Sequence, residues 1–172
     1  MSDWMQGGII TNPGIEAVAG KEVQELIGCD CKLMKSVVLF DTDKIDDFLT
    51  LCYRSQSSVR VLCLFVASEI KNMDDAVAQV RKSDFGDWLK DASFVVRSKI
   101  VDNEEIDTLE SERLIGETIH EKYNAKVDLE HPIVPFYAYF IGNDFYFGVD
   151  FAGFDLGKRT YKIFATADSV KA

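Results

Sequence analysis

Histidine is nearly missing from this chain, with only His120 and His131 among 172 residues. Their scarcity removes the commonest general base and the commonest metal-binding imidazole from almost every position. Neither has a carboxylate at HExxH spacing, so histidine-based hydrolysis and zinc catalysis are not expected. His120 falls on the polar side of a helix and His131 in a loop before Pro132, where solvated or capping roles fit. Cysteine is confined to Cys29, Cys31, Cys52 and Cys63, without a CxxC pair or a usual zinc spacing. Cys29 and Cys31 would point to one face of a strand, a poor geometry for a local disulfide, so free thiols acting as small hydrophobes are expected.

A glycine-rich phosphate loop is lacking too. Gly7-Gly8 precedes a strand instead of opening a helix, and neither GxGxxG nor a Walker-type motif occurs. The chain therefore offers no recognisable place for a nucleotide or S-adenosylmethionine. Asn12-Pro13-Gly14 lacks the aromatic of the Asn-Pro-Pro-aromatic loop of amino-methyltransferases and reads as a strand-to-helix turn. The acidic run Asp102-Asn103-Glu104-Glu105-Ile106-Asp107 lacks the central Gly and closing Glu of an EF-hand, so a solvated loop and helix start are expected. No apolar run approaches the roughly 20 residues that span a bilayer. The opening MSDWMQGG has no basic region followed by an apolar core, so no secretory signal is read there and a cytoplasmic protein without membrane partners is expected.

Positive charge is also short: 19 Lys and Arg face 29 Asp and Glu, for a net charge of −10. A polyanion is repelled by such a molecule unless its cations are grouped. The distribution allows that grouping. Asp102–Glu112 carries six acids and no base, whereas Gly157–Ala172 carries Lys158, Arg159, Lys162 and Lys171 against Asp168 alone.

The apolar fraction of 47% is that of a folded globular protein, and the length fits one domain or two small ones. The strongest local signal is Ile133–Arg159. Gly142-Asn143 is a hairpin turn, and closing it there sets Phe140 opposite Phe145, Ala138 opposite Phe147, Phe136 opposite Val149 and Val134 opposite Phe151. Those side chains share one face; Tyr137, Tyr139, Tyr146 and Asp150 take the other.

Upstream, strand Gly7–Thr11 leads through Asn12-Pro13-Gly14 into a helix striped by Ile15, Val18, Ala19, Val23, Leu26 and Ile27 and ended by Gly28. Strands Cys29–Met34 and Val37–Phe40 follow. Asp41-Thr42-Asp43 offers caps for a helix with stripe Ile45, Phe48, Leu49 and Cys52, and Val59–Ala67 reads as a buried strand. This β-α-β-β-α-β order is ferredoxin-like. Next come a helix capped by Asn72, a brief one capped by Asp84 that buries Phe85, Trp88 and Leu89, strand Ser93–Val101, and a helix starting near Asp107. The second half is thus α-α-β-α-β-β, and the fold class is α/β (α+β). No Gly/Ser/Pro linker separates the halves, which are expected to pack as a rigid pair.

Arg97 and Lys99 share a strand face, and Lys158 and Arg159, with Lys162 beyond, follow the hairpin. Side by side, these cations and a tyrosine such as Tyr139 would suit single-stranded RNA, whose phosphates pair with cations and whose bases stack. Dispersed bases neutralising the many acids is the competing reading.

The order α-α-β-α-β-β, Phe94-Val95-Val96-Arg97, Leu114-Ile115-Gly116-Glu117-Thr118-Ile119, Val127-Asp128-Leu129 with Pro132, and Gly148-Val149-Asp150-Phe151-Ala152-Gly153 running into Leu156 and Lys158-Arg159-Thr160-Tyr161 resemble the THUMP domain. Asn12-Pro13-Gly14-Ile15-Glu16, Lys21-Glu22-Val23 and the Tyr53-Arg54-Ser55 to Arg60-Val61 segment resemble the ferredoxin-like domain that precedes it. The resemblance spans about residues 7–165 and is nearest to tRNA guanine-N2-methyltransferases. It implies a ferredoxin-like domain over 1–68, a THUMP domain over 69–165, and in 166–172 the start of a linker to a catalytic domain that lies outside this chain and binds S-adenosylmethionine. It further implies that tRNA, not DNA, is gripped at the acceptor stem and 3′ end, with Arg97, Lys99, Lys158 and Arg159 among the contacts and no catalytic residue in this chain. One departure stands out: after Lys99 the chain turns acidic where family members often stay basic. A protein-interaction scaffold that kept the fold and lost RNA affinity is the alternative.

Overall fold

The computed structural model describes residues 4–157, which divide into two compact units, residues 4–63 with 151–157 and residues 64–150. In the first unit, β1 (Met5–Thr11), α1 (Glu16–Ile27), β2 (Cys31–Met34), β3 (Val37–Thr42), α2 (Ile45–Arg54) and the start of β4 (Ser58–Glu69) follow in order. The strands lie in the spatial order β2-β3-β1-β4, the ferredoxin-like arrangement. α1 stops at Gly28, whose φ of 73° lets its N–H return to the Gln24 carbonyl at 3.0 Å. Gly7 of β1 pairs with Phe40 of β3, and the Phe40 ring covers the position a Cβ would take.

Two carboxylates of α1 hold the turns around it. Glu16 accepts the Gly14 and Ser36 N–H groups, each at 2.9 Å. Glu22 accepts from Gln56 N–H at 2.7 Å, from Ser57 N–H at 3.1 Å and from the Ser55 and Ser57 hydroxyls. The expected stripe of α2 is corrected: Phe48 and Leu51 are buried, whereas Ile45 and Leu49 are about half exposed. Its cap differs as well. Lys44 occupies the N-cap, and the Thr42 hydroxyl accepts the Lys44 N–H at 3.1 Å while donating to Asp47.

The second unit continues with α3 (Met73–Lys82), a 3₁₀ turn (Gly86–Leu89), β5 (Ser93–Val101), α4 (Thr108–Tyr123), β6 (Lys126–Val127), β7 (Val134–Ile141) and β8 (Asp144–Asp150). The strand order is β4-β8-β7-β5-β6. Asn72 and Asp107 cap their helices by accepting the Asp75 and Glu110 N–H groups, both at 2.9 Å. The brief second helix is a single 3₁₀ turn, with the Asp84 carboxylate accepting the Gly86 N–H.

The hairpin register matches the sequence reading at Phe136↔Val149, Ala138↔Phe147 and Phe140↔Phe145, with Gly142 at φ 56° in the turn. Phe136 and Phe147 stack at 5.4 Å, and Phe65, Phe85 and Phe94 close around them. Of these, Phe85, Phe94, Phe136 and Phe147 are buried, and each contributes on the order of 1.5–3 kcal/mol relative to exposure. The hairpin register runs to Phe136↔Val149, short of the expected Val134–Phe151 pair, and on its other side Val134 pairs with Phe94 of β5. Beyond Asp150 the chain rejoins the first unit: Phe151 donates to the Val61 carbonyl and stacks on Phe48 at 4.9 Å. The contact boundary therefore falls inside the long strand β4 and at Asp150, whereas the sequence reading drew it at 68 and ran the second domain to 165.

Candidate functional site

The site is built on β5, whose residues alternate between two jobs. Phe94, Val96 and Ser98 turn toward α4, and Phe94 is fully buried. Ser98 locks the strand to the first turn of α4: its hydroxyl has one proton to give, with the Ser111 hydroxyl at 2.7 Å and the Thr108 carbonyl at 3.1 Å both within reach. Arg97 and Lys99, on the other face, stand opposite Tyr137 and Tyr139 of β7. Both cations are exposed, two residues apart, or about 7 Å along a strand.

β5 is poorly covered on its far side. β6 pairs only with Ser93 and Phe94, so among the described residues no strand lies beside β5 from Val95 onward. Exposed strand edges invite unwanted pairing and are commonly guarded by charged side chains. Here Glu112 of α4 reaches the edge and accepts the Ser98 N–H at 2.8 Å. Arg97 lies across the same edge, with Nη1 3.6 Å from Glu112 Oε2 and Nη2 donating to the Leu129 carbonyl at 3.4 Å. Its side chain is still 53% exposed, against 19% for Glu112. One guanidinium hydrogen bond and one ion-pair contact thus point into the protein, on a side chain that stays about half exposed. Lys99 has no ion-pair partner among the described residues. An apolar groove of about 640 Å³ adjoins Arg97, lined by Phe94, Val96, Leu109, Gly116, Val127 and Leu129.

The residues expected to form one cluster are brought together only in part. Arg97 and Lys99 share a face as anticipated. Tyr139 is corrected as a stacking platform: it is 3% exposed and its ring lies on Tyr146, centroids 6.4 Å apart. Both faces of the β7–β8 hairpin are buried, so period-two alternation could not separate a solvated aromatic face from a second covered one. Burial, reinforced by the charges of Asp144 and Tyr139, pushes the Tyr146 phenol up to about 12. Lys158, Arg159 and Lys162 lie outside the described residues. Glu112 was missed because it entered only as the last of the six acids counted over Asp102–Glu112. Its one sequence cue is position, next to Ser111 and so at the border of the buried face of α4 formed by Ser111, Ile115, Thr118 and Ile119.

The histidines have local roles. His120 Nδ1 lies 2.9 Å from the Ala125 carbonyl, and the His131 N–H donates to Asp128. Burial pushes the Cys31 and Cys63 thiols up to about 11, which disfavours the nucleophilic thiolate. Among the described residues no three His, Cys, Asp or Glu side chains are grouped to hold a metal ion, and no helix is long and apolar enough to cross a membrane.

Residues 70–150 match the THUMP domain. No curated protein matches the sequence. Among solved structures, a predicted N6-adenine-specific DNA methylase from Listeria monocytogenes is similar at 20% identity with a TM-score of 0.78, over 98% of this chain and 46% of its own. TrmN from Thermus thermophilus is similar at 22% identity with a TM-score of 0.67, over 92% of this chain and 48% of its own. A 4-thiouridine synthetase in complex with RNA and ATP is similar at 15% identity with a TM-score of 0.54, over 86% of this chain and 41% of its own. The chain thus spans about half the length of the structures it matches, and at these identities the likeness speaks for the fold.

Proposed function

With a THUMP domain over residues 70–150 behind a ferredoxin-like half, we propose that this chain is an RNA-binding region that grips the acceptor stem and 3′ end of tRNA and presents a nucleotide to a methyltransferase domain. The observation that carries the reading is the pair Arg97 and Lys99, exposed on the open edge strand of an otherwise acidic molecule. Lys158, Arg159 and Lys162 extend the proposed contact set from the sequence. S-adenosylmethionine belongs to the methyltransferase domain in this reading. The ferredoxin-like domain is proposed over 1–68, the THUMP domain over 69–165 and the start of a linker over 166–172, in a cytoplasmic protein. RNA bound to one matched structure and the methylase description of another support the proposal.

Binding of a tRNA transcript across salt tests it. Each phosphate neutralised adds roughly 0.7 to 0.9 to the slope of log K against log salt, so a contact of several phosphates falls steeply between about 50 and 200 mM salt. Replacing Arg97, Lys99, Lys158 and Arg159 together by Ala should flatten the slope and abolish binding. Affinity that survives the fourfold change, or a chain that binds no tRNA at low salt, would overturn the reading in favour of a scaffold.

A further inference from the structure

We propose that Glu112 is a positioning residue for RNA binding, fixing the Arg97 guanidinium across the edge of β5; this rests on the reading that Arg97 meets a phosphate. Glu112 is itself held. Its Oε1 accepts the Ser98 N–H at 2.8 Å, and Ser98 is tied through its hydroxyl to Thr108 and Ser111 in the first turn of α4. Ser111 is fully buried and donates to the Thr108 carbonyl at 2.8 Å. A carboxylate anchored this way is a fixed acceptor, and its Oε2 faces Arg97 Nη1 at 3.6 Å. The Leu129 carbonyl takes Nη2 at 3.4 Å from the other side. The planar fork is thereby held between a carboxylate and a carbonyl from separate segments, with its two Nη atoms fixed in one plane, a geometry that the single point charge of a lysine ammonium does not have.

The sign of the effect separates this role from simple charge. Glu112 is an anion near a proposed polyanion site, so electrostatics alone makes its removal strengthen binding. Positioning makes the reverse happen. Freeing a half-exposed arginine restores rotamer freedom that binding must then remove, an effect of roughly two- to tenfold in affinity.

The test is affinity of the full chain for an unmodified tRNA transcript, with E112A, E112Q, R97K, R97A and R97A/E112A. E112A should weaken binding about fivefold, and E112Q, whose amide keeps one acceptor oxygen and puts an N–H donor in place of the other, should lose affinity as well. R97K keeps the charge and disturbs no anchored group, yet should lose affinity comparably. E112A should add nothing in the R97A background. Without RNA, the Arg97 Nε–Hε resonance should be ordered in wild type and mobile in E112A. An E112A chain that folds and binds tRNA as well as wild type or better, or an R97K chain with unchanged affinity, overturns the positioning role and leaves the RNA reading standing. A wild-type chain that binds no tRNA overturns both.

Discussion

Tyr139 and Tyr146 stack across the β7–β8 hairpin with ring centroids 6.4 Å apart, and both are almost wholly covered. Burial is the first cause that holds the Tyr146 phenol neutral, with Asp144 and Tyr139 adding to it. In an absorbance titration of the folded protein, Tyr146 should ionise near pH 12, after the exposed tyrosines, and Y146F should remove that last component. The folded value lies above the unfolded one. Its contribution to stability is therefore complete below about pH 10 and lost as pH rises toward 12.

Gly7 should tolerate no side chain. A Cβ there would lie 2.1 to 2.5 Å from the Phe40 ring, which is 2% exposed and tilted against Phe48. Overpacking of this kind costs about 1–3 kcal/mol, so G7A should lower the free energy of unfolding by that amount, seen as a lower midpoint of chemical denaturation. Shrinking the obstacle in a G7A/F40L chain should recover part of the loss.

Acid should loosen the first unit through Glu22. Burial pushes its carboxyl up, but hydrogen bonds from Ser57, Gln56 and Ser55 more than reverse this and hold it below the ordinary carboxylate value. A lowered folded value means stability that is present at neutral pH and lost as pH falls through that value. Melting temperatures measured from pH 7 downward should drop less steeply for E22Q than for wild type. At neutral pH E22Q should be less stable by about 1–2 kcal/mol.

Much of the architecture could be read from the chain because its signals were local. Strand Ser93–Val101, the Asn72 and Asp107 caps, the Gly28 stop and the hairpin register each depend on neighbours within a few residues. The misreadings share a different origin. Ile45 and Leu49 sit at helical spacing, yet the face that α2 buries carries Phe48 and Leu51, which only packing decides. Tyr139 has the alternation of an exposed face and is nonetheless covered. Glu112 acts on Ser98, fourteen positions away, through a helix whose rotation no spacing rule specifies. The two cations of β5 were found; the carboxylate beside them was not.

The tip of the hairpin is bound on three sides. Gly142 donates its N–H to Val101 at 2.9 Å, its carbonyl accepts from Asn103 at 2.9 Å, and Asn143 accepts the Ile70 N–H at 2.8 Å. Hairpin ends are ordinarily where a protease enters, since few bonds must break to thread them into its cleft. This one is clamped to the ends of two other strands' chains, so brief proteolysis should cut elsewhere first and leave the 134–150 fragment whole. N103A, which releases one clamp, should make Gly142-Asn143 newly susceptible, a change visible by mass spectrometry of the digest.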